Sequence, residues 1–325
     1  MTTKKHPSLS VDDNDFFKFT FTNFREMEEF GKNWSFYCRY RFGVKPFKGT
    51  YNICQNEDFQ IASAVYHDGM MYNGYAPTGA ITLTLIIDKE GSLTANGKIL
   101  NAGEILVLDD SDAFEIAFSH PIRKGVISLS KDFVDMHFPY LHQMLGRVYA
   151  DRDDVLKDLI LSLEENTEFK SSEIRTKLIE VLKFLSLDTQ EKITKKLSKK
   201  EALIFDVRDY IIKLSEDNIP IEDLAKKFGM SERTLQTGFK KIFGYTPKKF
   251  TKLLKLNLAH RDIVKNDGSK TISEIAMKYG FGNFGLFAQE FKRIYGVLPS
   301  ESTPPQILTS NTTTAPKEVP SHLLK

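Results

Sequence analysis

The sequence predicts an α+β multidomain protein. A small β-barrel or cupin-like domain followed by helices comes first, and an all-α domain of two helix-turn-helix units follows. Three observations predict this. Short β-branched runs separated by turn dipeptides fill the first ~130 residues. From about residue 132 the apolar residues recur at spacings of three and four. Residues 221–247 then recur, with related residues at matching positions, at 272–299.

Ile81-Thr82-Leu83-Thr84-Leu85-Ile86-Ile87 has the composition of a buried strand. Leu93-Thr94-Ala95 and Lys98-Ile99-Leu100 flank Asn96-Gly97, a dipeptide that favours a type I′ turn and so a hairpin. Gly103-Glu104 turns into Ile105–Leu108, and further strands are predicted at Ala113–Phe118 and Gly125–Ser130. Such a series of short strands suits a small barrel or sandwich. Val155, Leu156, Leu159, Ile160 and Leu163 then mark one amphipathic helix, and Ile174, Leu178, Val181, Leu182 and Leu185 a second. Their apolar stripes suit packing on the barrel or on a second subunit, and the pattern alone does not choose. The domain limits read as 1–190, a polar linker at 191–197, a helical domain at 198–301, and a tail at 302–325 rich in Ser, Thr and Pro.

The 325 residues are enough for two cores. With 41% hydrophobic and 27% charged residues the chain is neither disordered nor collagen-like. Two cysteines, Cys38 and Cys54, are too few for a disulfide scaffold or a structural zinc site of cysteine type. The first residues have no apolar h-region, and the longest apolar run is of strand length. A cytoplasmic location is therefore expected. The net charge of +2 hides an asymmetry: residues 1–190 carry −7 and residues 191–300 carry +9. A basic domain is the electrostatic footprint of a nucleic-acid partner, although a solvated lysine-rich surface gives the same count.

The repeat carries the argument further. Ile221, Leu224, Ala225 and Gly229 match Ile272, Ile275, Ala276 and Gly280, each 51 residues later. After one inserted residue, Phe239, Lys240, Phe243, Gly244 and Pro247 match Phe291, Lys292, Tyr295, Gly296 and Pro299. Each copy reads as helix, tight turn, helix. Gly229 and Gly280 supply the left-handed turn residue. Ser231 and Asn283 are N-caps for the second helices, Glu232–Phe243 and Phe284–Tyr295. Thr271 with Glu274, and Ser198 with Glu201, form capping boxes. Between the copies, Pro247 at a first helical position and Asn266-Asp267-Gly268 bracket one helix of ~19 residues, ~28 Å long at 1.5 Å per residue. That is close to the ~34 Å turn of B-DNA, so the rod suits two reading helices in successive major grooves.

These stretches, IEDLAKKFGMSERTLQTGFKKIFGYTPKKF and ISEIAMKYGFGNFGLFAQEFKRIYGVLP, resemble the seven-helix DNA-binding domain of the AraC/XylS family of bacterial transcription regulators. The resemblance covers about a third of the chain, residues 198–301. It implies double-stranded DNA as partner, activation through RNA polymerase, an effector-sensing or dimerising N-terminal domain that makes a homodimer, no catalysis, no cofactor, and a place on the bacterial nucleoid. The layout of the first 190 residues is similar to the family's sensing domains, but much less specifically.

Arg233, Gln236 and Thr237 lie opposite Leu235 and Phe239 on the first reading helix and are expected to approach base edges. Arginine pairs with guanine O6/N7 and glutamine with adenine N6/N7. The family often carries a long basic residue where Thr237 stands. Lys240 and Lys241 are expected at phosphates, and the Ser231 cap hydroxyl has a donor for one as well. In the second helix, Gln289 is the remaining bidentate reader and Phe284 can touch a thymine methyl. Asn283, Lys292 and Arg293 are then backbone contacts, while Gly285 weakens the helix.

The N-terminal domain offers little chemistry. His67, His120, His137 and His142 form no barrel metal motif, and nucleophile-elbow, P-loop and dinucleotide fingerprints are missing. Asp109, Asp110 and Asp112 read as a solvated turn. Trp34, Phe36, Tyr37, Tyr40, Tyr66, Tyr72 and Tyr75 suit either core or the wall of a small-ligand pocket. The rival expectation is a barrel enzyme or metal-binding protein with an appended DNA-binding domain.

Overall fold

The computed structural model describes residues 16–30, 37–43, 47–165, 170–188, 197–217 and 219–302. Most of the predicted linker, the tail beyond 302, Trp34 and Phe36 lie outside these residues. Twelve strands are found among them: β1 (Phe16–Phe21), β2 (Tyr37–Arg41), β3 (Gly49–Gln55), β4 (Phe59–Tyr66), β5 (Met70–Tyr75), β6 (Ala80–Lys89), β7 (Leu93–Ala95), β8 (Lys98–Ile99), β9 (Glu104–Asp109), β10 (Ala113–Phe118), β11 (Ile122–Ser130) and β12 (Val148–Ala150). They pair antiparallel in two sheets, one ordered β1-β3-β4-β11-β6-β9-β12 and the other β2-β5-β10-β7-β8. The sheet-rich expectation holds. The pairing makes two sheets and closes no barrel among the described residues. At Asn96-Gly97 both φ values are positive (46° and 70°), the backbone of the I′ hairpin that joins β7 to β8.

The ten α-helices among the described residues are α1 (Phe24–Phe30), α2 (Lys131–His137), α3 (Val155–Glu165), α4 (Ser171–Asp188), α5 (Lys199–Lys213), α6 (Ile221–Lys227), α7 (Glu232–Phe243), α8 (Pro247–Lys265), α9 (Ile272–Lys278) and α10 (Phe284–Tyr295). The stripe of α3 and α4 has a defined destination. Leu156, Ile160, Leu163, Ile174, Leu178 and Leu182 pack on the seven-stranded sheet, in one cluster with Ile81, Leu83, Leu85 and Ile127. Gly125 allows the approach, because a Cβ there would lie 2.0 Å from Ile160 Cδ1.

Strand alternation explains why β6 reads as one long apolar run. Its odd residues Ile81, Leu83, Leu85 and Ile87 join that helix-covered core. On the other face Ile86 joins a core shared by both sheets, with Tyr66, Tyr72, Phe114, Ile116 and Phe118. Both faces of the strand are therefore covered. The outer face of the five-stranded sheet is covered too, by the helical domain: Tyr40, Phe42, Met71 and Ala117 share a core with Phe239, Phe243, Phe250 and Leu254.

Polar bonds fix that contact. Asn257, midway along α8, accepts from the Arg41 amide at 2.7 Å and donates to the Arg41 carbonyl at 2.8 Å, so it acts on β2 as an added ladder partner. The Tyr245 hydroxyl reaches the carbonyl oxygens of Ser119 (2.6 Å) and Phe42 (3.0 Å). Arg208 of α5, almost fully buried, pairs with Glu115 of β10 at 2.6 Å.

Candidate nucleic-acid interface

The two helix-turn-helix units are built by the same local rules. In the first, α6 ends on Phe228, and Gly229 follows with φ 62°. The Gly229 amide bonds to the Lys226 carbonyl at 3.2 Å and the Met230 amide to the Ala225 carbonyl at 2.9 Å, the paired bonds of a Schellman stop. In the second, Gly280 has φ 80°, with Gly280 to Met277 at 2.9 Å and Phe281 to Ala276 at 3.0 Å. Space does not require Gly229, since a Cβ there meets nothing within 4 Å. The left-handed backbone does. Ser231 then accepts from the Thr234 amide at 3.2 Å and Asn283 from the Leu286 amide at 3.0 Å, which starts α7 and α10 at the predicted residues. Gly244 (φ 76°) and Gly296 (φ 80°) end them.

Between the units, α8 runs nineteen residues from Pro247 to Lys265, capped by the Thr246 hydroxyl. Both predicted capping boxes, Ser198 with Glu201 and Thr271 with Glu274, are present. Backbone and hydroxyl donors of the cap residues hold both glutamates below the usual carboxylate range.

On α7 the residues Leu235, Phe239 and Ile242 are buried, and Ser231, Arg233, Gln236, Thr237, Lys240 and Lys241 are exposed. Each predicted contact residue of the first unit therefore faces away from the core. Near the far end of the helix the environment changes. Lys240, Lys241 and Gly244 border a cleft of about 960 Å³ against the sheet-rich domain, facing Lys98, Asn101 and Glu104. Lys241 lies 3.5 Å from Glu201. No local pattern signals this neighbour, because the docking that brings β7 beside α7 is tertiary.

On α10, Phe287, Phe291 and Ile294 are buried, and Asn283, Phe284, Gln289, Lys292 and Arg293 are exposed. Ala288 is half-buried. The missed feature is apolar: Leu286 is 58% exposed beside Phe284 at 41%, with Met277 of α9 also at 58%. Leu286 lies one residue off the stripe through Phe287 and Phe291, a signal that the periodicity contains. Lys278 is engaged by Asp262 at 3.0 Å, Glu216 at 3.3 Å and the Tyr279 hydroxyl. Hydrogen bonds to Tyr279 first, then Asp262, raise it above the usual lysine value.

Among the described residues, no group of three or more His, Cys, Asp or Glu side chains could hold a metal ion. Among the described residues no helix is long and apolar enough to cross a membrane.

Residues 224–303 match the family described as helix-turn-helix domain. Over 94 residues the chain is 35% identical to the "Probable thc operon regulatory protein" of Rhodococcus erythropolis, covering 29% of this chain and 28% of that one. Over 219 residues it is 26% identical to "XylDLEGF operon transcriptional activator 3" of Pseudomonas putida, covering 62% of this chain and 64% of the relative. The chain thus spans less than two thirds of each of these relatives. A solved structure of the AraC-like transcriptional activator CuxR is similar over 76% of this chain and 96% of its own, at 12% identity and a TM-score of 0.44. The duplicated turn geometry and the match over residues 224–303 together make the C-terminal part of this chain a helix-turn-helix domain, similar in sequence to those of the named regulators.

Proposed function

We propose that the protein is a sequence-specific DNA-binding transcription regulator. The observation that carries the reading is the pair of capped helices α7 and α10, which both pack on α8 and present exposed polar residues. Arg233, Gln236 and Thr237 read bases in one major groove, and Phe284 and Gln289 do so in the next. Ser231, Lys240, Lys241, Asn283, Lys292 and Arg293 hold the phosphates. The apolar tip of α10 makes the second unit the weaker reader, because Phe284 and Leu286 offer no hydrogen bond to a base edge.

The domains divide the work as 1–190 for sensing and 198–301 for DNA, with 191–197 joining them. The two sheets of the first domain, facing over a shared core, act as a barrel-like container for a small-molecule signal, and that domain also supports a homodimer. The DNA-bound protein activates by touching RNA polymerase, works in the cytoplasm and catalyses no reaction. The relatives' names, which are those of regulators, favour this over the barrel-enzyme reading.

The test is to sequence the genomic fragments that the purified protein retains and then to compete the best fragment with random DNA. A regulator recovers a shared motif and prefers it by about 10³-fold or more. Equal competition by random DNA overturns the proposal.

A further inference from the structure

A cavity of about 60 Å³ lies between the two sheets. Lys124 of β11 and Tyr51 of β3 line it from the seven-stranded sheet, and Tyr72, Phe114 and Ile116 line it from the five-stranded one. Met27 of α1, itself buried, covers it. Lys124 is the ionisable side chain that does not belong in such a place, at 5% exposure.

An ammonium group is costly to bury without a counter-charge, and it carries three donors. Among the described residues Lys124 has one hydrogen-bond acceptor, the Tyr72 hydroxyl at 2.5 Å. It also has two ring faces, Tyr72 at 4.9 Å and Tyr66 at 5.6 Å. No carboxylate among the described residues pairs with it. The remaining wall is apolar, apart from Gln60, Thr82 and Thr84. The position is not an accident of the strand end: β11 shifts register against β6 between Arg123 and Lys124, and Lys124 is then on the inward face with Val126.

We propose that this cavity binds a small organic monocarboxylate, its carboxylate paired with Lys124 Nζ and its apolar body against Phe114, Ile116 and Met27. The missing counter-charge and the missing packing are then supplied by one molecule. The thioether of Met27 is the adaptable wall that lets the space grow with the ligand. This deepens the sensor reading of the first domain, and rests on it only for the biological consequence of binding.

The proton balance gives the binding a signature. Burial lowers Lys124 to about 7. The groups that face it, Tyr72 of β5, Tyr66 of β4 and Tyr51 of β3, are all pushed up by burial, as is Cys38 of β2. None of these titrates near neutrality. A carboxylate needs the ammonium form, so each complex formed above that value takes up one proton.

The experiment uses the full chain without DNA, with butanoate and hexanoate as probes and the matching alcohols as controls, read by calorimetry and by thermal melting. The acids are expected to bind at millimolar concentration and raise Tm, and the alcohols to do neither. Affinity is expected to fall about tenfold per pH unit between pH 7 and 9. Lys124→Met keeps the volume and loses the charge; it is expected to melt higher than wild type and to bind the acids at least about tenfold more weakly. No binding of either acid, equal binding of the alcohols, or a pH-independent affinity overturns the proposal, and none of these needs the variant to fold. Promoter binding by Lys124→Met, measured separately, distinguishes failure of this proposal from failure of the regulator reading.

Discussion

Arg233 and Lys124 show how differently two cations act on one chain. Arg233 is exposed on a helix face whose other side is core, so its removal is expected to act on the proposed DNA contact and not on the fold. Arg233→Ala is expected to cost about 1–3 kcal/mol at the cognate site and to relax specificity there, as measured by binding to single-base variants of the operator. Lys240→Ala weakens all sequences alike and lowers the salt slope by about 1, which a titration of affinity against salt checks. Lys124 acts on the fold itself. Its folded value is about 7 against the ordinary lysine value of 10.5, so above about pH 7 the unfolded chain holds a proton that the folded chain lacks. Stability therefore rises with pH from 7 toward 10.5 and is insensitive to this group below 7. Urea unfolding of wild type against Lys124→Met, at pH 7 and pH 9, isolates that slope.

At the scale of elements, stops and caps do most of the specifying. Gly229 and Gly280 hold left-handed backbone that an L side chain adopts only at a cost, and each closes a Schellman pair. Gly229→Ala has open space for its methyl group, so the expected loss of about 1–2 kcal/mol is conformational alone. Urea unfolding reads it. These elements were legible because their signals are local: Ser231, Asn283, Thr271 with Glu274, and Pro247 each act within one turn of their own position. The Asn96-Gly97 hairpin was legible for the same reason. The exposure of Leu286 is harder to read from sequence, because on a helix with so many apolar residues the stripe looks wider than the face that is covered.

The whole molecule is held together where the five-stranded sheet meets α8. Asn257 there is mid-helix and almost fully buried, a position that a core leucine would suit by periodicity. Its amide serves β2 in both directions. Asn257→Leu leaves a buried amide and carbonyl of Arg41 without that partner, and is expected to cost about 1–3 kcal/mol. Calorimetry of the variant is expected to split one melting transition into two, with the helical domain released from the sheets. Nearby, His260 stacks on Tyr295 at 3.9 Å, and burial followed by the Arg41 charge lowers it to about 4. Its stabilising effect is present above the free-histidine value and is lost as pH falls toward 4.

The sequence by itself determined the units: the strands β6 to β11, the hairpin, both helix-turn-helix copies, the rod between them and the outward residues of α7, but not β12, which lies where the pattern reads as helix. Each depends on periodicity, capping or a turn residue, and those forces act over a few residues. Only the tertiary structure decided what those units cover. It chose the seven-stranded sheet as the seat of α3 and α4, brought the sheet-rich domain against the far end of α7, and enclosed Lys124 among three tyrosines. Strand register and domain docking bring together residues as distant as Arg41 and Asn257, 216 positions apart, and no local pattern encodes such a pairing.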